Sequence, residues 1–269
     1  MTLSVAEQAN HRYTVSGIIK GAASIEEIRA LLHYWSPGES PLALWQRVRE
    51  EGLLGKATAH RAEDLVLRVF RPRLLSPTDA PARHLKLFLE LRGSEQAFRE
   101  LLLIHEARAE AILYDFLCEK FWPACRTGAL WLGPDDVLDF LDHAFGRGHI
   151  RQQWSAYTRK RVAYGLLAAL TEFGFLRSTR PLQREIVPYR MSDAGLAYLA
   201  YDLHFTGRPD AAVVDHQDWC LFGLDRAHLL DRLDSLGPSL GLVVQRAGDV
   251  VRISWPHDTM EAVIHAIAR

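Results

Sequence analysis

Apolar residues recur at helical spacing along most of the chain, which predicts a mainly α-helical, globular, multi-helix protein. The clearest buried stripe consists of Val162, Leu166, Ala169, Leu170 and Phe173. Its period is close to the 3.6 residues of an α-helix. Gly174 follows the stripe and can adopt the left-handed conformation that ends many helices. The pattern therefore predicts a helix within residues 154–176 with one buried face.

The N-terminal region, residues 24–75, predicts three short helices separated by glycine turns. Ser24 and Glu27 have the spacing of a capping box, in which each side chain bonds a free backbone amide at a helix start. Pro41 fits the first turn of the second helix, where its missing N–H would be unpaired anyway. Three short helices of this kind are compatible with a helix-turn-helix motif.

Two segments predict β-hairpins. The first, residues 175–190, directly follows the central helix, and Pro188 restricts its second strand to a sheet edge because proline lacks a donor. A basic helix followed by a basic hairpin is typical of a winged helix. The second hairpin, residues 241–255, lies between a helix capped by Asp225 and a helix whose capping box is Asp258 with Glu261.

These elements divide the sequence into three predicted segments. Residues 1–78 form an N-terminal helical segment that resembles a helix-turn-helix, and residues 79–205 form central helices with a winged helix-turn-helix. Residues 206–269 form a C-terminal helix-hairpin-helix unit. The prolines and the aspartate of residues 77–81 mark the clearest linker.

Charge is distributed unevenly along the 269 residues, although the net charge is only −1. Residues 147–190 contain nine Lys or Arg against two Glu, a local net charge of +7. The C-terminal residues 191–269 carry −5. Such asymmetry points to nucleic acid or another polyanion as a partner.

The predicted DNA-binding residues are basic residues and residues with a hydroxyl group. They lie near the start of the central helix, on the first hairpin and in the N-terminal segment. They are Arg151, Ser155, Tyr157, Thr158, Arg159, Lys160, Arg161, Arg177, Arg180, Arg184, Lys56, Arg61 and Arg68. The N-terminal residues of a recognition helix face base edges and phosphates, whereas a flanking hairpin can reach the backbone or the minor groove.

Catalytic motifs are absent from the sequence, so we expect a protein that is not an enzyme and needs no metal or other cofactor. It contains no phosphate-binding GxxxxGK[ST] loop, no GxGxxG fingerprint and no GxSxG elbow. The acids of residues 135–142 with His143 could suggest a metal cluster, but helix capping explains them better. No apolar run suggests a membrane span or a signal peptide, which predicts a cytoplasmic protein without a membrane partner.

The run from Trp154 to Leu176, with Trp154-Ser155 and Thr158 ahead of a helix that ends in Leu, Gly and Leu, resembles the BrxA family of the bacteriophage-exclusion (BREX) system. The hairpin of residues 245–255 and the following Asp-Thr-Met-Glu helix are similar as well. The resemblance implies a non-catalytic protein that binds double-stranded DNA and acts with other BREX components. The acidic C-terminal third argues against a second DNA-binding surface there.

Two other functions remain open at this point. The basic patch could dock an acidic protein partner, which would make the chain an adaptor. A winged-helix transcriptional regulator would carry the same helix and hairpin, but it would favour a defined operator over other sequences.

Overall fold

The computed structural model describes residues 12–21, 24–55, 58–180, 182–248 and 250–269. It confirms a mainly α-helical fold with short antiparallel hairpins. The chain forms two compact units, each built from two separate runs of sequence. The first unit comprises the residues up to 79 with residues 106–189, and the second comprises residues 80–105 with 190–269.

Helices account for most of the described chain, and five short strands complete it. In chain order, the α-helices are α1 (Ser16–Gly21), α2 (Ile25–Tyr34), α3 (Pro41–Glu51), α4 (Ala59–Glu63), α5 (Arg71–Leu74), α6 (Ala80–Glu90), α7 (Glu95–Ala109), α8 (Ala111–Phe116), α9 (Trp122–Arg126), α10 (Pro134–Gly146), α11 (Ala156–Glu172), α12 (Asp193–His204), α13 (Asp210–Val214), α14 (Arg226–Leu240) and α15 (Met260–Ile267). The strands are β1 (Trp131–Leu132), β2 (Leu176–Ser178), β3 (Arg184–Ile186), β4 (Val243–Ala247) and β5 (Val250–Ser254). Helices of other types span Asp64–Phe70 and Leu117–Phe121 (π) and Gln217–Phe222 (3-10).

The N-terminal helices of the first unit begin largely where their capping residues predict. Ser40 caps α3 by accepting a hydrogen bond from the N–H of Ala43, with Pro41 in the first turn. Ser24 precedes α2, but its side chain makes no capping hydrogen bond, so the predicted capping box is wrong. The hydroxyl instead lies 3.5 Å from a guanidinium nitrogen of Arg61, and a carboxylate oxygen of Glu172 accepts from the N–H of Ile25. A tertiary partner therefore replaces the local cap.

A buried ion pair lies inside the first unit. Arg73 of α5 contacts Glu106 at 2.9 Å, and their side chains are 0% and 3% exposed. Burial raises the pKa of Glu106 to about 7, because a charged carboxylate loses its hydration, while Arg73 opposes the shift. Burial also raises the pKa of Glu110, whose side chain lies against Gly17 of α1. The core of this unit thus contains two carboxyl groups whose pKa values are raised by burial.

The small sheet of the first unit has the order β1-β3-β2, and both pairings are antiparallel. Trp131 pairs with Glu185, which also faces Arg177 on the other side. The strand β3 is therefore central, and the prediction that Pro188 confines it to an edge is wrong. The strand ends at Ile186, so Pro188 lies beyond the ladder and no hydrogen bond of the sheet needs its missing N–H.

Helix α11 is the predicted central helix, and its buried stripe is confirmed. Val162, Leu166 and Leu170 are fully buried. The helix packs against α10 and α1, where Gly165 permits a close approach to Ile18. Beyond the helix, Gly174 has a φ of +85°, and the N–H of Phe175 donates to the carbonyl of Leu170. This is the Schellman geometry that a glycine at this position favours.

The second unit contains α12, α14, α15 and the hairpin β4–β5. Ser192 caps α12 through the N–H of Gly195 and itself donates to the buried carboxylate of Glu100. Asp225 caps α14 as predicted. The last helix differs by one position from the expected start, because Thr259, not Asp258, accepts the capping hydrogen bond.

Candidate nucleic-acid interface

The first turn of α11 is held by a local hydrogen-bond network. The hydroxyl of Ser155 accepts from the N–H of Thr158 at 3.2 Å, and the two side-chain oxygens are 3.0 Å apart. Tyr157, between them, is 70% exposed. Ser155 and Thr158 therefore fix the start of the helix, whereas Tyr157 projects into solvent.

The three consecutive basic residues of α11, Arg159, Lys160 and Arg161, have different environments. Arg159 is half-buried and forms an ion pair of 2.6 Å with Asp142 of α10. Lys160 and Arg161 are exposed. Each lies beside an aromatic ring of its own helix, Lys160 at 6.0 Å from the centroid of Tyr164 and Arg161 at 5.8 Å from that of Tyr157. Lys160 and Arg161 are thus available to an external anion, and Arg159 is bound internally.

The hairpin β2–β3 adds further basic residues, but not all of them are available to bind a nucleic acid. Arg177 forms two hydrogen bonds to the cross-strand neighbour Glu185, at 3.1 and 2.8 Å. These bonds lower the pKa of Glu185 and raise that of Arg177. Arg180, in the connecting loop, lies 4.2 Å above the ring of Trp131, and Arg184 donates to the carbonyl of Arg180. Arg180 is the exposed base nearest the tip of the hairpin.

The remaining predicted site residues lie in other surroundings. Arg151 is exposed in the segment before α11. Arg61 donates to the carbonyl of Lys20, and Arg68 pairs with Asp64 at 3.1 Å and remains 56% exposed. Lys56 lies outside the described residues.

A cleft of about 890 Å³ lies beside the basic residues of α11. Its lining includes Asp135 and Asp136 from the start of α10, and Lys160 and Tyr164 of α11. Arg180 and two other residues of the hairpin loop also line it. The structure therefore places residues of α11 and the hairpin loop around one cleft, together with acidic residues of α10.

The acids of α10 do not form a metal centre within the described part of the chain, where no group of three potential ligands is suitably placed. Asp136 accepts from the N–H of Gly133 at 2.9 Å and lies 3.5 Å from Lys120. Asp142 is engaged by Arg159. Helix capping thus accounts for the carboxylate of Asp136, and ion pairing accounts for that of Asp142.

Two site residues were missed by the sequence analysis. Trp131 belongs to a two-residue strand that gives almost no pattern, and its ring supports Arg180. Tyr164 lies one turn beyond the basic start of α11 and lines the cleft. The spacing of Tyr164 from Lys160, i to i+4 on one helix face, was the available signal.

The fold and this site define a mainly helical protein with two small antiparallel sheets and a basic helix start beside a hairpin. The family model BrxA matches residues 12–201 of the chain. The chain belongs to the BrxA family, which makes it a component of a BREX phage-defence system. No curated protein matches it. Within the described residues, every helix is too short or too polar to cross a membrane.

Proposed function

We propose that the chain is a non-catalytic BREX component that binds double-stranded DNA through the start of α11 and the β2–β3 hairpin. One observation carries the proposal. Lys160 and Arg161 are exposed in the first two turns of α11, and neither has a carboxylate partner in the part of the chain that the structure describes. Helix starts of this kind can reach both phosphates and base edges.

The order of elements around α11 supports a winged-helix interpretation. The strand β1 precedes α10 and α11, and β2 and β3 follow them, with β3 between β1 and β2 in the sheet. In such an arrangement α11 would be the recognition helix and the loop around Arg180 the wing. Lys160 and Arg180 line the same cleft, so one nucleic acid could contact both.

Further partners and the site of action are part of the same proposal. The protein would work in the cytoplasm beside other BREX components, which would supply the chemistry that no motif of this chain provides. The acidic C-terminal segment, residues 191–269, has a net charge of −5 and suits protein contacts better than contacts with phosphates.

Salt dependence tests the electrostatic basis of the proposal. Fluorescence anisotropy with a labelled random duplex should give a logarithmic affinity that falls linearly with the logarithm of salt concentration, with a slope of about −0.9 per neutralised phosphate. We expect a slope of about −3.6 to −4.5, because Lys160, Arg161, Arg180 and one or two neighbours would neutralise four or five phosphates. A slope near zero would contradict the proposal.

The double variant Lys160→Ala with Arg161→Ala locates the surface. It should weaken duplex binding at least tenfold, about 1.4 kcal/mol. The matched control, Arg208→Ala with Arg269→Ala, removes the same charge from exposed positions of the second unit and should leave affinity nearly unchanged. Equal losses in both variants would mean that only bulk charge matters. Absence of duplex binding by the folded wild type would favour an adaptor, and a strong preference for one operator would favour a regulator.

A further inference from the structure

The cleft between α10, α11 and the hairpin combines three kinds of chemistry within about 890 Å³. Lys160 and Arg180 supply positive charge, Tyr164 supplies an aromatic surface, and Asp135 supplies a carboxylate. A volume of this size is typical of pockets that enclose one small organic group. The side chains therefore suit a ligand that combines an anionic group, a flat ring and a hydrogen-bond donor.

Asp135 differs from the other two acids of the cleft. Asp136 and Asp142 are bonded to Gly133 and Arg159, respectively. Asp135 is exposed, and it has no hydrogen bond or ion pair to any residue that the structure describes. A carboxylate repels phosphate, so duplex binding alone does not explain this side of the cleft. A carboxylate does accept hydrogen bonds from the amino group of a base, as Asp and Glu do with cytosine N4.

The basic side of the cleft resembles the surfaces that bind unpaired nucleotides. Lys160 lies beside Tyr164, and Arg180 lies above Trp131. Surfaces that bind single-stranded nucleic acid combine positively charged side chains, which contact the phosphates, with aromatic rings on which the nucleobases stack. Leu182, at the hairpin loop, is 64% exposed and lines the same cleft, which adds an apolar contact for a base.

We propose that this cleft takes one unpaired nucleotide whose base has an exocyclic amino group, as adenine and cytosine do, from a DNA strand whose flanking duplex lies on the start of α11. Lys160 and Arg180 bind its phosphates, Tyr164 stacks on the base, and Asp135 accepts a hydrogen bond from the exocyclic amino group. Thymine has no such amino group, so it lacks this contact. The inference rests on the proposed duplex binding and adds a preference for a base that is outside the stack.

Extracting a base from a perfect duplex costs a few kcal/mol, and the cost is smallest for a base that is already unpaired. Duplexes that contain one central unpaired nucleotide therefore provide the test. Anisotropy titrations compare four probes of otherwise identical sequence, with an unpaired A, C or T or with none. We expect the A and C probes to bind about fivefold or more tightly than the perfect duplex, and the T probe to bind less tightly than either.

Two variants assign this preference to the cleft. Tyr164→Leu should remove the advantage of the A and C probes over the perfect duplex. Asp135→Ala should raise affinity for the perfect duplex and the T probe, because a negative charge is lost, and should abolish the discrimination between A or C and T. The control Tyr157→Leu removes an exposed tyrosine of the same helix that does not line the cleft, and it should keep the probe ratios.

The outcomes separate the two proposals. Equal binding of all four probes overturns the nucleotide site and leaves duplex binding in place. Loss of the probe ratios in Tyr157→Leu as well as in Tyr164→Leu also overturns the assignment, because the cleft would then have no special part. Failure to bind any probe, by wild-type protein with an unchanged circular dichroism spectrum, overturns both proposals. Retained discrimination in Asp135→Ala contradicts the role of the carboxylate.

Discussion

The guanidinium of Arg159 and the carboxylate of Asp142 lie 2.6 Å apart and connect α11 to α10. Arg159 is the first base of the predicted recognition triplet, yet only 21% of its side chain is exposed. Its charge is therefore balanced inside the first unit before any DNA arrives. Arg159, Lys160 and Arg161 are therefore not equivalent as DNA contacts.

We predict that Arg159→Ala lowers stability more than it lowers DNA affinity. A partly exposed ion pair contributes about 0.5–1 kcal/mol, so the coupling between Arg159→Ala and Asp142→Ala in a double-mutant cycle of urea unfolding should be of that size. Duplex affinity of the single variant should fall by less than about threefold, below about 0.7 kcal/mol. A tenfold loss of affinity with zero coupling energy would show that Arg159 leaves Asp142 and contacts DNA.

Glu185→Gln should strengthen duplex binding. Glu185 accepts hydrogen bonds from two of the three guanidinium nitrogens of Arg177, and glutamine keeps the size of the side chain while removing its charge. Arg177 would then be able to neutralise one additional phosphate, and the salt slope should steepen by about 0.9. Anisotropy titrations at several salt concentrations measure both effects.

A matched control breaks a similar ion pair in the second unit. Glu95 and Arg99 of α7 lie 2.9 Å apart, and Glu95→Gln makes the same chemical change there. This variant should leave the salt slope unchanged. An equal gain in both variants would attribute the effect of Glu185→Gln to net charge alone.

Gly165→Ala should destabilise the protein although alanine is the better helix former. A Cβ atom at residue 165 would lie 2.7 Å from the Cγ2 of Ile18 and 3.2 Å from its carbonyl oxygen. Overpacking costs about 1–3 kcal/mol, against a gain in helix propensity of up to about 1 kcal/mol, so a net loss of about 1 kcal/mol is expected. Gly146→Ala, at the end of α10, meets no atom within 4 Å and serves as the control in thermal unfolding. A loss in Gly146→Ala equal to that in Gly165→Ala would refute the packing explanation.

Elements that depend on neighbouring residues could be predicted from the sequence, whereas elements that depend on contacts between distant residues could not. The end of α11 was predictable, because the buried stripe and Gly174 act within a few residues of each other. The position of β3 was not, because its partner β1 is two residues long and lies about 50 residues earlier in the chain. Charge counting likewise found the basic segment but could not identify the bases that are already paired. Whether Arg159 or Arg177 can contact DNA depends on Asp142 and Glu185, which pair with them only in the folded protein.

The buried carboxyl group of Glu106 predicts a dependence of stability on pH. Its pKa rises from an ordinary value near 4.5 to about 7 in the folded protein, mainly because of burial. The folded state therefore binds more protons than the unfolded state between these values, and the free energy of unfolding falls as pH increases from about 4.5 to 7. The full effect of such a shift is roughly 3 kcal/mol, and the raised pKa of Glu110 acts in the same direction.

We expect Glu106→Gln to flatten this pH dependence. Glutamine retains the shape of the side chain and an oxygen that can accept from Arg73, but it does not titrate over this range. Urea unfolding at intervals between about pH 5 and 8 should therefore show a smaller decrease in stability for the variant than for the wild type, with the remaining slope due partly to Glu110. Glu261→Gln, a neutralisation at an exposed residue of α15, should retain the wild-type slope. A steeper fall in Glu106→Gln than in the wild type would mean that Glu106 is charged in the folded protein and that its pair with Arg73 outweighs the cost of burial.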